Sequence, residues 1–133
     1  MLPTSRTQGY PADTLRLVVG SIRVLYVIDS LAPGGAETSL ASMAPHLAAL
    51  GIDLHVCYFV EREGVHEQLR DAGATLHHVD APRPARAFAL RQLIATTDPD
   101  IVHTTLFEAD QAGRLAGVMS RRPVISSLVS TGF

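Results

Sequence analysis

With 133 residues, 47% of them hydrophobic and 18% charged, the chain can bury one core but is too short for two ordinary domains. A formal net charge of −2 provides no field for a polyanion, which argues against nucleic acid as a partner. The single cysteine, Cys57, excludes an intrachain disulfide framework and suits a reducing compartment, so a cytoplasmic location is expected.

Residues 1–20 read as a loosely ordered extension. Met1 to Pro11 lack a continuous apolar core, and Arg16 and Arg23 interrupt the stretch Leu15 to Ile28, which argues against a secretory signal or a membrane span. From Ile22 to Asp29 the sequence is β-branched and nearly all apolar, the pattern of a parallel strand buried on both faces. Leu40, Met43, Ala44, Leu47 and Leu50 then recur at helical spacing up to Gly51, a C-terminal stop, and Pro45 predicts a kink within that helix. Leu54 to Val60 is a second strand, in which Cys57 should be an inert buried thiol.

The cycle continues with a helix over Gly64 to Ala72, stopped by Gly73, and a short strand over Thr75 to Val79. A helix over Ala85 to Thr97 is expected to bury Phe88, Leu90, Leu93 and Ile94, and Asp100 to Thr104 is the fourth strand. Glu108 to Ser120 reads as a helix, and Val124 to Val129 as a fifth strand. Strict alternation of this kind implies an α/β fold: a doubly wound, Rossmann-like parallel sheet with helices on both faces and strand order 3-2-1-4-5, filling residues 21–133. Winding reverses between strands 1 and 4, so a crevice should open at their carboxyl edge, in the segments Ser30 to Glu37 and His103 to Glu108.

Pro33-Gly34-Gly35-Ala36-Glu37 lies at the strand-to-helix turn, where glycines let backbone amides approach a phosphate and the helix N-terminus favours an anion. The same residues could simply form a tight turn, with Glu37 complementing the helix dipole. The dinucleotide fingerprint requires G-x-G-x-x-G and an acidic residue at the end of strand 2, and the sequence is read as matching neither. His103 could serve as a base, a donor or a sugar-hydroxyl ligand, or could hold its loop through backbone hydrogen bonds. Glu108 and Asp110 open the next helix, with Arg114 placed to pair with Asp110.

His77 and His78 are adjacent on a strand and so face opposite ways, and no metal site is expected. Arg83, Arg86 and Arg91 form either a solvated surface or a basic patch for anionic lipid.

The segments Arg-Val-Leu-Tyr-Val-Ile-Asp…Pro-Gly-Gly-Ala-Glu, Leu-Ala-Ala-Leu-Gly-Ile-Asp-Leu-His-Val and Pro-Asp-Ile-Val-His-Thr-Thr-Leu-Phe…Gly-Arg-Leu-Ala-Gly occur in that order. Together they resemble the N-terminal, acceptor-side domain of glycosyltransferase family 4, of GT-B fold, over Ile22 to Phe133. The resemblance implies retaining transfer of a sugar from a nucleotide-sugar donor to a carbohydrate or lipid-linked acceptor hydroxyl, without cofactor or metal. It implies that Gly34 and Gly35 approach the donor phosphates, that His103 and Thr105 take the catalytic positions, and that Glu37 and Glu108 line the cleft. Many members carry a second histidine where this chain has Thr105, which can hydrogen-bond a sugar but cannot act as a base near neutral pH. The resemblance further implies a missing C-terminal donor domain, or a second chain in its place, without which the chain should be inactive. A non-enzymatic binding or regulatory module on the same scaffold is the alternative.

Overall fold

The computed structural model describes residues 21–105 and 123–127. At its centre lie two nine-residue strands, β1 (Ile22–Ser30) and β2 (Ile52–Val60). β3 (Thr75–His78) flanks β2, while β4 (Ile101–Thr105) and β5 (Val124–Ser127) continue the sheet beyond β1. Every ladder is parallel and the order is β3-β2-β1-β4-β5, the doubly wound arrangement expected from the alternation.

Strand alternation sends successive side chains to opposite faces. Tyr26, Ile28, Leu54, Val56 and Tyr58 take one face, under Leu40 and Ala44 of α1 (Gly35–Ala49) and Leu69 of α2 (His66–Asp71). Leu25, Val27, Cys57, Phe59 and Val102 take the other, under Leu90 and Ile94 of α3 (Arg86–Thr97). Burial pushes the Cys57 thiol up to about 12, as an inert core cysteine requires.

The helix stops form where glycine was expected to make them. Gly51 and Gly73 have φ of 83° and 91°, a region open to glycine at little cost. After α2, Ala74 N–H donates to Leu69 O (3.0 Å) and Gly73 N–H to Arg70 O (2.9 Å), the paired bonds of a Schellman turn.

Several boundaries differ from expectation, each for a local reason. β2 begins at Ile52, two residues early. β4 starts at Ile101 because Asp100 is bound to the start of β1: its carboxylate accepts Arg23 N–H (2.8 Å) while its own N–H donates to Arg23 O (2.8 Å). α2 begins at His66 because Gly64 is pressed against the preceding loop, where a Cβ would overlap Leu31 O. Val65 N–H donates to that same carbonyl at 2.9 Å.

Phe88, expected inside, is 62% exposed. A 3₁₀ turn over Arg83–Ala85 precedes α3, whose buried stripe runs Ala87, Leu90, Ile94 and Thr97; Phe88, two positions before Leu90, lies about 160° round the helix from it. Met43 and Leu50 likewise fall outside the stripe set by Leu40 and Ala44, and are 44% and 72% exposed. α1 stays a single helix across Pro45, which lies on its exposed side. β3 ends at His78, and Val79 N–H still donates to Tyr58 O at 2.9 Å. The N-terminal extension over 1–20, the helix expected over 108–120 and positions 128 and 129 of the fifth strand lie outside the described residues.

The two glycines 64 and 35 should respond oppositely to alanine. Gly64→Ala is expected to cost at least about 3 kcal/mol, since the added methyl meets backbone and not a movable side chain. Gly35→Ala, whose Cβ meets nothing within 4 Å, should change stability by under about 1 kcal/mol, in the stabilising direction for a helical position. Urea midpoints of the two variants check both.

Candidate functional site

The site grows from the end of β1. Leu31 is fully buried and anchors the loop into the core, while Pro33, Gly34 and Gly35 remain exposed. Gly34 caps α1 with φ −167° and ψ −172°, an extended conformation open to any residue, so backbone strain does not demand glycine here. What a side chain would meet is Glu37: a Cβ on Gly34 would lie 2.7 Å from Glu37 Oε1. At Gly35 the same addition points into open space. The first bond of α1 is Thr38 N–H to Gly34 O at 2.9 Å, and the amides ahead of it are the donors that every helix N-terminus leaves over.

β4 pairs directly with β1, in the register Tyr26↔His103 and Val27↔Thr104. The Gly34–Gly35 turn and the end of β4 therefore share one carboxyl edge, at the point where winding reverses. The sequence places the fourth strand over Asp100 to Thr104, with His103 at its carboxyl end and Thr105 beyond it in the crevice segment. Instead β4 extends through Thr105, which is fully buried, and His103 sits in mid-strand with its ring stacked on Tyr26 at a centroid distance of 4.6 Å and an interplanar angle of 28°. The reason is the shift of β4 by one residue once Asp100 is drawn to Arg23.

Tyr26 joins these groups, and the motif reading missed it. Burial raises the pKa of its phenol, the Thr105 hydroxyl acts to lower it, and the negative charge of Glu37 raises it again. Thr105 Oγ1 is buried and makes no hydrogen bond of good geometry among the described residues, so this is a contact at short range and not a well-aligned bond. Glu37, expected to line the cleft, is 9% exposed, folded back across Gly34. One tyrosine thus gathers His103, Thr105 and Glu37 on the α1 face of the sheet. A signal was available: a phenol within an aliphatic strand, at a position facing α1, needs a polar neighbour. Glu108 lies outside the described residues.

A second group on the same edge corrects the sequence reading. Glu61 directly follows β2, so an acidic residue does stand at the end of that strand, and only the glycine spacing departs from the dinucleotide pattern. Its carboxylate is already engaged, by Tyr58 O–H at 3.2 Å and His66 Nε2 at 2.8 Å. These partners outweigh partial desolvation and hold the Glu61 carboxyl below its ordinary value. Arg86 also departs from a simple basic patch: it donates to Ala81 O (3.3 Å) and lies 4.8 Å from the Phe59 ring centroid.

Residues 34–133 match the sequence model of the Glycosyl transferase 4-like domain. The chain belongs to that family. Two solved structures share the fold of this glycosyl transferase 4-like domain. A glycosyltransferase from Rickettsia africae ESF-5 aligns with a TM-score of 0.63 at 16% identity, covering 80% of this chain and 29% of that one. MurG of Acinetobacter baumannii aligns with a TM-score of 0.64 at 16% identity, covering 84% of this chain and 37% of its own. Identities this low show shared architecture alone, and the chain spans well under half of either structure. No curated protein matches it in sequence.

Burial lowers the pKa of His103, so its ring is neutral at pH 7 and can donate from one nitrogen while accepting at the other. An unfolded histidine takes up a proton below about pH 6.5, whereas the folded one resists. The contribution of His103 to stability is therefore complete above about pH 6.5 and is lost as pH falls from there towards the folded pKa. His103→Gln should flatten the acid limb of the stability curve between about pH 6.5 and pH 5, as read by urea midpoints across that range.

Proposed function

We propose that this glycosyl transferase 4-like domain is the acceptor-side half of a retaining glycosyltransferase. It takes a sugar from a nucleotide-sugar donor and passes it to a hydroxyl of a carbohydrate or lipid-linked acceptor. The observation that carries the reading is the shared edge: the open space at Gly35 and the Tyr26, His103, Thr105 and Glu37 group flank the β1–β4 reversal in a domain of this family.

In this reading the amides at Gly34, Gly35 and Ala36 meet the donor diphosphate, because helix N-terminal N–H groups are pre-aimed and need no reorganisation as negative charge builds on the leaving group. A neutral imidazole can accept a hydrogen bond from the acceptor hydroxyl while donating to a ring oxygen, which orients the nucleophile. Tyr26 holds that imidazole by stacking. Thr105 and Glu37 act on the reaction through Tyr26 and the loop, as positioning groups. The reading assigns the charge on the diphosphate to amides of this domain and basic groups of a donor-binding domain, with no metal or cofactor.

The remaining assignments follow from that chemistry. Nucleotide sugars and an inert reduced thiol suit the cytoplasm, and among the described residues no helix is long and apolar enough to cross a membrane. For a lipid-linked acceptor, exposed Phe88, with Arg91 one turn further along α3, is the surface that would rest on an anionic bilayer.

Two experiments test the proposal. The 133-residue chain alone should turn over no nucleotide sugar above background, and transfer should appear only when a donor-binding domain is supplied; steady turnover by the chain alone would contradict the division of labour. Inorganic pyrophosphate carries the chemistry shared by nucleotide-diphosphate donors. Titrated into the chain, it should shift the amide resonances of Gly34, Gly35 and Ala36. Gly35→Leu should weaken that binding by at least about tenfold, the value of one charge-assisted hydrogen bond, while leaving the unfolding midpoint in place. A binding-only module would give the pyrophosphate response without transfer in the presence of any donor domain.

A further inference from the structure

Away from the crevice, four ionisable side chains form a line on the α3 face that starts near the amino ends of β1 and β2 and crosses to β3. Arg23 of β1 donates from Nε to Asp53 Oδ2 (2.7 Å) and from a terminal nitrogen to Thr97 O at the end of α3 (2.6 Å). The other oxygen of Asp53 faces His55 Nε2 at 3.4 Å, and His55 Nδ1 lies 2.9 Å from His77 Nε2 on the edge strand β3. The two imidazoles are stacked, with centroids 5.2 Å apart and an interplanar angle of 10°.

Donor and acceptor chemistry fixes the protons along this line. An ionised carboxylate only accepts, so the 3.4 Å approach to Asp53 is attractive only when His55 presents Nε2–H to it. Its Nδ1 is then a lone pair, and His77 must supply the proton from Nε2. The donors therefore run in one direction, from His77 to His55 to Asp53, with Arg23 meeting Asp53 from the far side. One added proton can go to His77 Nδ1 without breaking any of these bonds. A second can only go to His55 Nδ1, which sets two N–H groups against each other and breaks the inter-ring bond.

We propose that this line is an acid-sensitive latch: it holds β3 on the sheet while the histidine pair has taken up at most one added proton, and releases that strand when both rings are charged. β3 is suited to such release because it has only four residues and, among the described residues, a single neighbouring strand, β2. The charged groups around the pair are Arg23 from β1, Asp53 from β2, Asp98 after Thr97 at the end of α3, and Asp100 ahead of β4, whose carboxylate holds Arg23 N–H. Arg86 of α3 lies over Phe59, two positions beyond Cys57, the residue paired with His77. His78 is on the opposite face, stacked on Tyr58.

Burial, then the neighbouring His55, lowers the pKa of His77, in keeping with a pair that resists full protonation. The stability linked to His77 is present above about pH 6.5 and is lost as pH falls below it, towards the folded pKa of His77.

Two measurements on the complete chain test the latch. Nitrogen-15 spectra of the histidine rings near pH 7.5 should show both His55 and His77 as Nε2–H tautomers; an Nδ1–H His55 would overturn the proposal. Amide hydrogen exchange, corrected for intrinsic rates, should show protection of Leu76, His77 and His78 falling at least about tenfold more than that of β1 between about pH 7.5 and pH 5. Equal losses in β3 and β1 would overturn it. His77→Gln keeps an N–H for His55 Nδ1 but cannot take a proton, so it should preserve protection near neutrality and abolish the excess loss in acid. Retention of the wild-type acid response in that variant would also overturn the latch. The tautomer and exchange measurements on the unsubstituted chain decide the matter if the variant is unstable.

Discussion

The structure depends on one constraint: β1 must be paired on both edges and covered on both faces. Its run from Val24 to Ile28 has no polar side that water could accept apart from the Tyr26 hydroxyl, so it can settle only at the centre of a sheet. With β2 on one side and β4 on the other, the crossover helices must lie on opposite faces, because right-handed connections leading in opposite directions cannot share one. The reversal beside β1 then parts the loops at its carboxyl end. The crevice is therefore a geometric result of burying one strand, and the residues that line it occupy positions the winding had already left open.

The same strand explains why polar groups collect where they do. On the α1 face of β1 and β4 near the reversal, Tyr26, Thr105 and Glu37 are all buried. Tyr26 suits that place: its ring packs with Ile28, Val56 and Leu40, and its hydroxyl reaches towards Thr105 and Glu37. Further out, Gly64 lets the loop after β2 sit against Leu31, so that β1, β2 and their two loops form one rigid edge. A loop that presents backbone amides to a ligand gains from such backing, because the donors are then fixed before the ligand arrives.

Much of this could be read from the residues. Short apolar, β-branched runs and apolar positions at helical spacing located every described strand and α-helix, and Gly51 and Gly73 marked helix stops. Strand order followed from alternation and handedness. The strongest misreadings arose where a tertiary contact outweighed a local pattern. Phe88 is an exception of a local kind: it stands two positions before Leu90, on the far side of the helix from the stripe of Ala87, Leu90, Ile94 and Thr97. Thr105 looked like a loop residue until the exchange of bonds between Asp100 and Arg23 moved β4 along by one. The histidine line on the α3 face was invisible because its members, Asp53, His55 and His77, fall at no motif spacing. Only the diagonal step from β2 to β3 brings His55 to His77. The match to the family covers most of the segments whose motifs suggested it, while the roles within the site rest on chemistry that spacing alone does not specify.

The lone thiol has a use that its inertness creates. Cys57 lies in the middle of β2, fully buried and, with its pKa pushed up to about 12, almost wholly protonated at neutral pH. A thiolate-directed reagent can reach it only in molecules whose central strands have come apart. Since the chain has no other cysteine, labelling reports opening of the core alone, and with reagent fast enough to outpace reclosing its rate in native buffer is the rate at which the sheet opens. The fold thus carries its own clock for global unfolding, insensitive to fraying at its edges.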